Sequence, residues 1–299
     1  MGEYCRIGTI IEKVWQSFKV KIMSISNWIR RLTYNPFLVR IVRVLHISSL
    51  MKYVYFQLCA PKDRKINLRF YGIEAQFYVN NFEELRYVES VFEKGDKDEE
   101  NMLAPLMDIL QLGDVAYDVG ANIGIHTIFM ARKVNEKGRV IAFEPETTNY
   151  EALRKNIGLN GLNNITPVKV ALGDKADTGN LYIKKRIGSG AVSLIESDES
   201  DFCEKVEIIP GDFLVQKDNL PIPKAVKIDV EGYEYPVIKG LQKTLSDKAC
   251  QMVCCEIHSN LFPPGTEPQT ILNLLKSIGF IRIEIFNRGG ETHVLCYKQ

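Results

Sequence analysis

Asp118, Gly120, Asn122 and Gly124 follow one another at steps of two, directly after the apolar run that starts at Val115. Twenty residues beyond Gly124 a second apolar run, Val140 to Phe143, ends in Glu144. The first stretch reads as a strand, a tight loop and a helix start. An acid at the tip of the next strand can accept from both hydroxyls of a ribose, while glycines let backbone approach the ligand. The pair of segments therefore describes a site for a molecule carrying adenosine. Spacing narrows the choice. The dinucleotide fingerprint needs glycines at G-x-G-x-x-G, and a triphosphate loop needs Gly-Lys-Ser/Thr; neither is present. An acid at the head of the loop repels phosphate and suits an ammonium. S-adenosylmethionine carries an ammonium and a ribose, and it is the expected ligand of Asp118, Gly120, Asn122, Gly124 and Glu144.

Two further segments carry charge where strands should be apolar. In Val226 to Gly232, alternation puts Lys227, Asp229 and Glu231 on one side and Val226, Ile228 and Val230 on the other. Central parallel strands are normally apolar on both faces, so three charges near a carboxyl end must pair with one another or meet a ligand. A Lys227 to Asp229 ion pair with a solvated Glu231 is the structural alternative. The run Val253 to Ile257 brings Glu256 and His258 to the end of another strand.

The ordered set resembles the FkbM-type methyltransferases. The segments that carry the resemblance are 118–124, Phe143-Glu144-Pro145, 156–162, Ala171-Leu172-Gly173-Asp174, 227–232 and Glu256-Ile257-His258, over roughly residues 95 to 299. The resemblance implies an S-adenosylmethionine-dependent O-methyltransferase acting on a hydroxyl of a sugar, glycan or related natural product. Because the sulfonium is already activated, the protein has to align an acceptor oxygen and remove its proton. His258 or Asp229 is expected as the base, with Glu231 orienting the acceptor. Asp174 is placed to accept from the adenine amino group, and residues 188 to 193 to form a lid. No metal is required in this reading, although Asp229, Glu256 and His258 could instead hold a divalent ion. A nucleic-acid methyltransferase is the first alternative, but amino methylation uses an Asp/Asn-Pro-Pro-aromatic loop where this chain has Asp-Val-Glu-Gly. A binding protein that keeps the cofactor fold without turnover is the second.

These residues need a doubly wound sheet to position them. Helical arm segments are expected over 7–33 and 37–57, a hairpin around Tyr71-Gly72, and a helix over 98–111. The first sheet strand starts at Val115, followed by strands at 139–144, 165–172, 225–230 and 251–257. Helices at 147–160, 234–246 and 268–277 alternate with these, and a hairpin is expected between 179–186 and 204–210. Strands at 281–286 and 292–297 close the chain. The expected fold is α/β, a Rossmann-like class I methyltransferase with a mostly parallel seven-stranded sheet, a C-terminal antiparallel hairpin and an N-terminal basic helical arm. The expected divisions are 1–65 for the arm, 66–112 for an extension and entry helix, and 113–299 for the catalytic domain.

A chain of 299 residues with 45% apolar and 25% charged residues can bury such a core. Seven cysteines without a C-x-x-C pair speak against a disulfide framework or zinc ribbon, and the start lacks a signal-type apolar stretch, so a cytoplasmic location with reduced thiols is expected. The net charge of +1 conceals a division: residues 1–65 hold 12 Lys and Arg against Glu3, Glu12 and Asp63, a net of +9, leaving −8 for the rest. Ile7, Ile10, Ile11, Val14, Phe18, Ile22, Ile25, Ile29 and Leu32 recur at helical spacing, flanked by Trp15 and Trp28. The stripe suits packing on the catalytic domain or in a homo-oligomer, contact of residues 7–57 with a membrane surface on the cytoplasmic face, or, least well, nucleic acid. The longest charge-free run nearby, Val44 to Met51, is far below the roughly 18 to 20 residues needed to span.

Overall fold

The computed structural model describes residues 48–90, 98–183, 192–195, 202–262, 266–288 and 291–298. The arm helix expected over 7–33 and most of that over 37–57 lie outside the described residues. The chain divides into two compact units, Met1–Arg64 with Val79–Leu85, and Lys65–Tyr78 with Arg86–Gln299. Of the first unit, helix α1 (Ser48–Cys59) is described, together with the segment at Val79–Leu85. Tyr55 packs edge-on to Phe82 at 5.3 Å, Arg64 lies 4.1 Å over the Phe56 ring, and Lys52 pairs with Glu83 at 2.7 Å.

The second unit opens with a hairpin of β1 (Lys65–Phe70) and β2 (Ile73–Tyr78). Its turn residues Tyr71 and Gly72 both take positive φ, 52° and 72°, as a two-residue hairpin turn requires. After α2 (Phe82–Ser90) and α3 (Asp98–Ile109) come β3 (Val115–Val119), α4 (Ile125–Val134), β4 (Arg139–Phe143), α5 (Thr147–Leu159) and β5 (Ile165–Val168). Strands β6 (Ala171–Gly173), β7 (Asp177–Ile183), β8 (Val192–Ser193) and β9 (Phe202–Pro210) follow, then α6 (Gly211–Lys217), β10 (Ala225–Ile228), α7 (Glu234–Gly240), α8 (Gln242–Ser246) and β11 (Met252–Ile257). The chain ends with α9 (Pro268–Ile278), β12 (Arg282–Arg288) and β13 (Glu291–Tyr297).

Seven strands form one sheet in the order β12-β13-β11-β10-β3-β4-β5. Only β13 runs antiparallel to its neighbours, as the closing hairpin demanded. Strand order reverses between β3 and β10, which makes their carboxyl ends the switch point where an open α/β sheet binds ligands. One face of the sheet packs Tyr117, Phe143, Val226, Ile228, Val253 and Cys255 against Val237, Ile238, Leu241 and Leu275 from the helices. The other face carries Asp118 and Lys227, which the parallel register sets side by side.

Two elements differ from the sequence expectation. The strand expected over 165–172 is broken: β5 stays in the large sheet, and β6 turns away to pair with β9 in a four-stranded sheet ordered β6-β9-β7-β8. The helix expected over 234–246 divides at Leu241, because Asp212 accepts from the backbone of Lys243 and Thr244 and so caps a new first turn. Gly240, at the break, has no room for a side chain, since a Cβ there would lie 1.7 Å from the Gly173 carbonyl oxygen. The turn residues 289 and 290 and most of the lid expected over 188–193 lie outside the described residues. No helix among the described residues is long and apolar enough to cross a membrane.

Where the β3 and β10 loops cross, Gly120 holds a φ of 79° and a Cβ on it would meet the Asp229 carbonyl oxygen at 1.8 Å. The obstacle is backbone and cannot swing away. Gly120→Ala is expected to destabilise the protein by about 3 kcal/mol, from overpacking added to a left-handed alanine. Urea unfolding measures it, and a loss below about 1 kcal/mol would show that the two loops separate freely.

Candidate active site

The β3 loop is built from inside the sheet outward. Asp118 is fully buried, and its Oδ2 accepts from the Thr127 hydroxyl on α4 at 2.5 Å. Beside it, Lys227 is also buried and donates to the Gly120 carbonyl at 2.8 Å, with Asp118 Oδ1 at 3.4 Å and Asp229 Oδ2 at 3.3 Å. A buried ammonium requires such partners. The Lys227 to Asp229 pair read from alternation is therefore present, and Asp118 shares the same cation. Asn122 takes a φ of 51° and its N–H donates to Glu144 Oε2 at 2.7 Å. Glu144 Oε1 accepts from the Glu146 N–H at 2.9 Å, which aims the carboxylate back over the loop. Burial, opposed by those two backbone bonds, pushes the Glu144 carboxyl up to about 7.

A cleft opens here. Gly120, Asn122, Glu144, Asp229 and Glu231 are on its wall, and Val170, Leu172, Leu181 and Leu194 supply an apolar side. An apolar wall with a few convergent polar groups is the lining of a small-molecule site. Three residues expected at the ligand lie elsewhere. Asp118 is not on the wall; it sits beneath the loop because Lys227 and Thr127 hold it there. Gly124 is also off the wall, and a Cβ on it would strike Leu153 of α5 at 2.5 Å, so its bareness serves loop-to-helix packing. Asp174 pairs with Lys239 at 2.8 Å outside the cleft.

The acid–base residues form a chain running inward from the wall. Glu231 follows β10 with a φ of 51°, a conformation a non-glycine residue holds only when its surroundings enforce it. Here the buried Ser193 hydroxyl donates to the Glu231 carbonyl. Behind Glu231, His258 is buried and off the wall. Its Nε2 lies 3.6 Å from Glu231 and 3.8 Å from Glu256, and its Nδ1 is 2.9 Å from Oε1 of the fully buried Glu234. That same oxygen accepts from the Gly232 N–H. Burial alone would lower the His258 pKa. The Glu234 hydrogen bond, with the charges of Asp229 and Glu231, outweighs it and pushes the imidazole up to about 10. Burial pushes the Glu231 carboxyl up to about 7, helped by Asp229, Glu256 and Glu291 and opposed by His258. Glu256 goes the other way, to about 2: burial is outweighed by the His293 hydrogen bond and charge, by His258 and by Glu291. The donor atoms of Asp229, Glu231 and His258 lie within 4.8 Å of one another, as do those of Glu256, Glu291 and His293; Glu256 is thus not grouped with Asp229 as the metal alternative required.

Sequence reasoning missed Glu234, whose signal was an acid at a helix start three residues beyond Glu231. It also missed Asn156, first residue of a quoted segment. Asn156 accepts from the Tyr78 N–H at 2.8 Å and donates to the Ile123 carbonyl at 2.9 Å, joining the loop to the hairpin.

The chain is similar to the hexuronic acid methyltransferase AglP of Haloferax volcanii, 28% identical over 205 residues, which covers 68% of this chain and 77% of that one. It is also similar to methyltransferase sdnD of Sordaria araneosa, 26% identical over 192 residues, covering 54% and 72%. Among solved structures, an S-adenosylmethionine-dependent O-methyltransferase from Thermotoga maritima gives a TM-score of 0.44 at 14% identity, over 78% of this chain and 77% of that one. The sequence profile of the methyltransferase FkbM domain matches residues 118–282, more than half of the chain and the stretch that holds Gly120, Glu144, Asp229, Glu231 and His258, so the chain belongs to the FkbM family of S-adenosylmethionine-dependent methyltransferases.

Proposed function

We propose that this methyltransferase acts on oxygen, at a hydroxyl of a sugar, glycan or related natural product. The observation that carries the reading is a cleft with Glu144 after β4 and, two strands away, Asp229 and Glu231 after β10. Likeness to a relative named for a hexuronic acid supports a sugar acceptor. The Asp-Val-Glu-Gly loop after β10, where amino methylation would use a proline-rich aromatic loop, supports oxygen over a nucleic-acid base. In the same reading, residues 7–57 contact a membrane surface, and the site draws nothing from them.

The residues present fit the cofactor. Glu144 retains lone pairs for two ribose hydroxyls after its two backbone bonds, and the bare Gly120 leaves backbone open to the ligand. The apolar wall of Val170, Leu172 and Leu181 suits a purine face, and Asp229, on the wall where Asp118 is not, suits the ammonium. When bound, S-adenosylmethionine supplies an activated methyl on a sulfonium. Among the chain's own groups, Glu231 takes the proton role that was expected of His258 or Asp229. His258 is already protonated at neutral pH and off the wall, and Asp229 is tied to Lys227. The acceptor oxygen gains the methyl, its O–H proton passes to the Glu231 carboxylate, and the donor leaves as the thioether. His258, oriented by Glu234, holds positive charge behind Glu231 and steadies its ionised form.

Glu144→Ala is expected to weaken S-adenosylhomocysteine binding by about 1.5 to 3 kcal/mol, the value of hydrogen bonds to a charged group. Ribose hydroxyls prefer the ionised carboxylate, so with a free-protein pKa of about 7 the intact protein should release protons on binding near neutral pH. Calorimetry in buffers of different ionisation heat reads both effects, and proton uptake or an unchanged affinity would remove Glu144 from the ribose.

Glu231→Gln should lower kcat by about 100-fold or more, with S-adenosylhomocysteine affinity within a few-fold. Because the base must be ionised, kcat should rise with pH through about 7 and level off above it. Incubation with a library of glycans, detected by mass spectrometry as a gain of one methylene, identifies the acceptor. A flat profile from pH 5 to 8, or loss of activity with a chelator and recovery with magnesium, would displace this mechanism. Methylated nucleic acid as the only product would displace the acceptor class.

A further inference from the structure

Helix α1 presents two unlike faces. Tyr55 and Phe56 are buried, at 5% and 6% exposure, and Lys52 is fixed by Glu83, so the rotation of the helix about its axis is set. The opposite face exposes Leu50 at 62%, Tyr53 at 61%, Val54 at 42% and Leu58 at 58%. These positions fall at i, i+3, i+4 and i+8, on one side of the helix, where the exposed Gln57 at i+7 is the polar residue among them. Large apolar side chains grouped in this way mark a contact surface, whereas scattered ones do not.

We propose that α1 docks in the plane of an anionic lipid bilayer through Leu50, Tyr53, Val54 and Leu58. Charge selects this partner. The stripe belongs to a 65-residue stretch with a net charge of +9, while the remaining residues carry −8, so an anionic surface attracts this end of the chain and repels the rest. Lys62, exposed just beyond the helix, adds a cation on the described side. A second copy docked stripe to stripe would bring two +9 stretches together, which like-charge repulsion opposes. Only one side of α1 is apolar and exposed while the other packs inward, so the docked state is in-plane. Tyr53 combines an apolar ring with a hydroxyl, which suits the headgroup boundary. The inference sharpens the membrane contact of residues 7–57 and does not depend on which group is methylated.

Flotation of the full chain with phosphatidylcholine vesicles, with and without phosphatidylserine, tests the proposal. The intact protein should float with the anionic vesicles, about tenfold or more above neutral ones, and the difference should shrink at high salt. The double variant Leu50→Asp/Leu58→Asp should lose at least about tenfold of that binding, since burial of two leucines is replaced by charge, while Leu50→Ser/Leu58→Ser falls between. Both positions are exposed, so S-adenosylhomocysteine affinity serves as the check that the fold is intact. Vesicle binding of the double variant equal to that of the parent would move the contact to other residues of the arm and overturn the proposal. A parent that stays off vesicles, or one that light scattering shows to be a dimer split by the double variant, would overturn it in favour of packing on the chain itself or on a second copy.

Discussion

The buried ammonium of Lys227 is the interaction on which the site depends. It stands in the central strand of a sheet covered on both faces, where a charge without partners would be costly. Oxygens from different places surround it: the Gly120 carbonyl in the β3 loop, Asp118 at the end of β3, and Asp229 in the β10 loop. One side chain therefore fixes both loops at the switch point to each other. The bare Gly120 lets them approach closely enough for that, and the fixed loop then offers the Asn122 N–H to Glu144. Glu144 and the β10 loop are in this sense two ends of one electrostatic assembly.

A single imidazole faces two carboxylates at similar distance, and their environments drive them apart. Glu256 shares His258 with His293 and stays ionised to very low pH, while Glu231 has only part of one imidazolium and is pushed toward neutrality. Separation of neighbouring pKa values is how a site divides structural from reactive roles among similar groups. Glu256 is the counter-ion and Glu231 is the group free to exchange a proton near pH 7. Glu234 makes this possible from behind, because its buried carboxylate keeps His258 charged.

Much of the architecture was legible because it is written in local periodicity. Alternating apolar runs and helices gave the parallel sheet, the last two runs gave the antiparallel closure, and Tyr71-Gly72 marked its hairpin. Glu144 could be found because it ends a strand, and a strand end in this topology is a ligand-facing place. Asp118 ends a strand too, yet it is buried. What distinguishes the two is the neighbour across the sheet: the register puts Lys227 beside Asp118, and no reading of one strand at a time contains that. The break between β5 and β6 was hidden for a similar reason. Val168, Val170, Ala171 and Leu172 continue the apolar pattern across Lys169, and only the pairing of Ala171–Gly173 with β9 shows that the run serves two sheets. Glu234 and His258 are 24 residues apart, joined by a fold contact that spacing cannot signal.

The small sheet β6-β9-β7-β8 stands apart from the large one. It supplies the apolar residues Ala171, Leu172 and Leu181 to the cleft and touches the acid–base loop through Ser193, but it takes no part in the Lys227 assembly. Because Leu172 and Leu181 line the apolar wall and Ser193 holds the Glu231 backbone, a change in this sheet reaches both sides of the cleft at once. Reshaping that wall therefore cannot be separated from the support of Glu231: one small sheet couples the apolar side of the cleft to its carboxylate side.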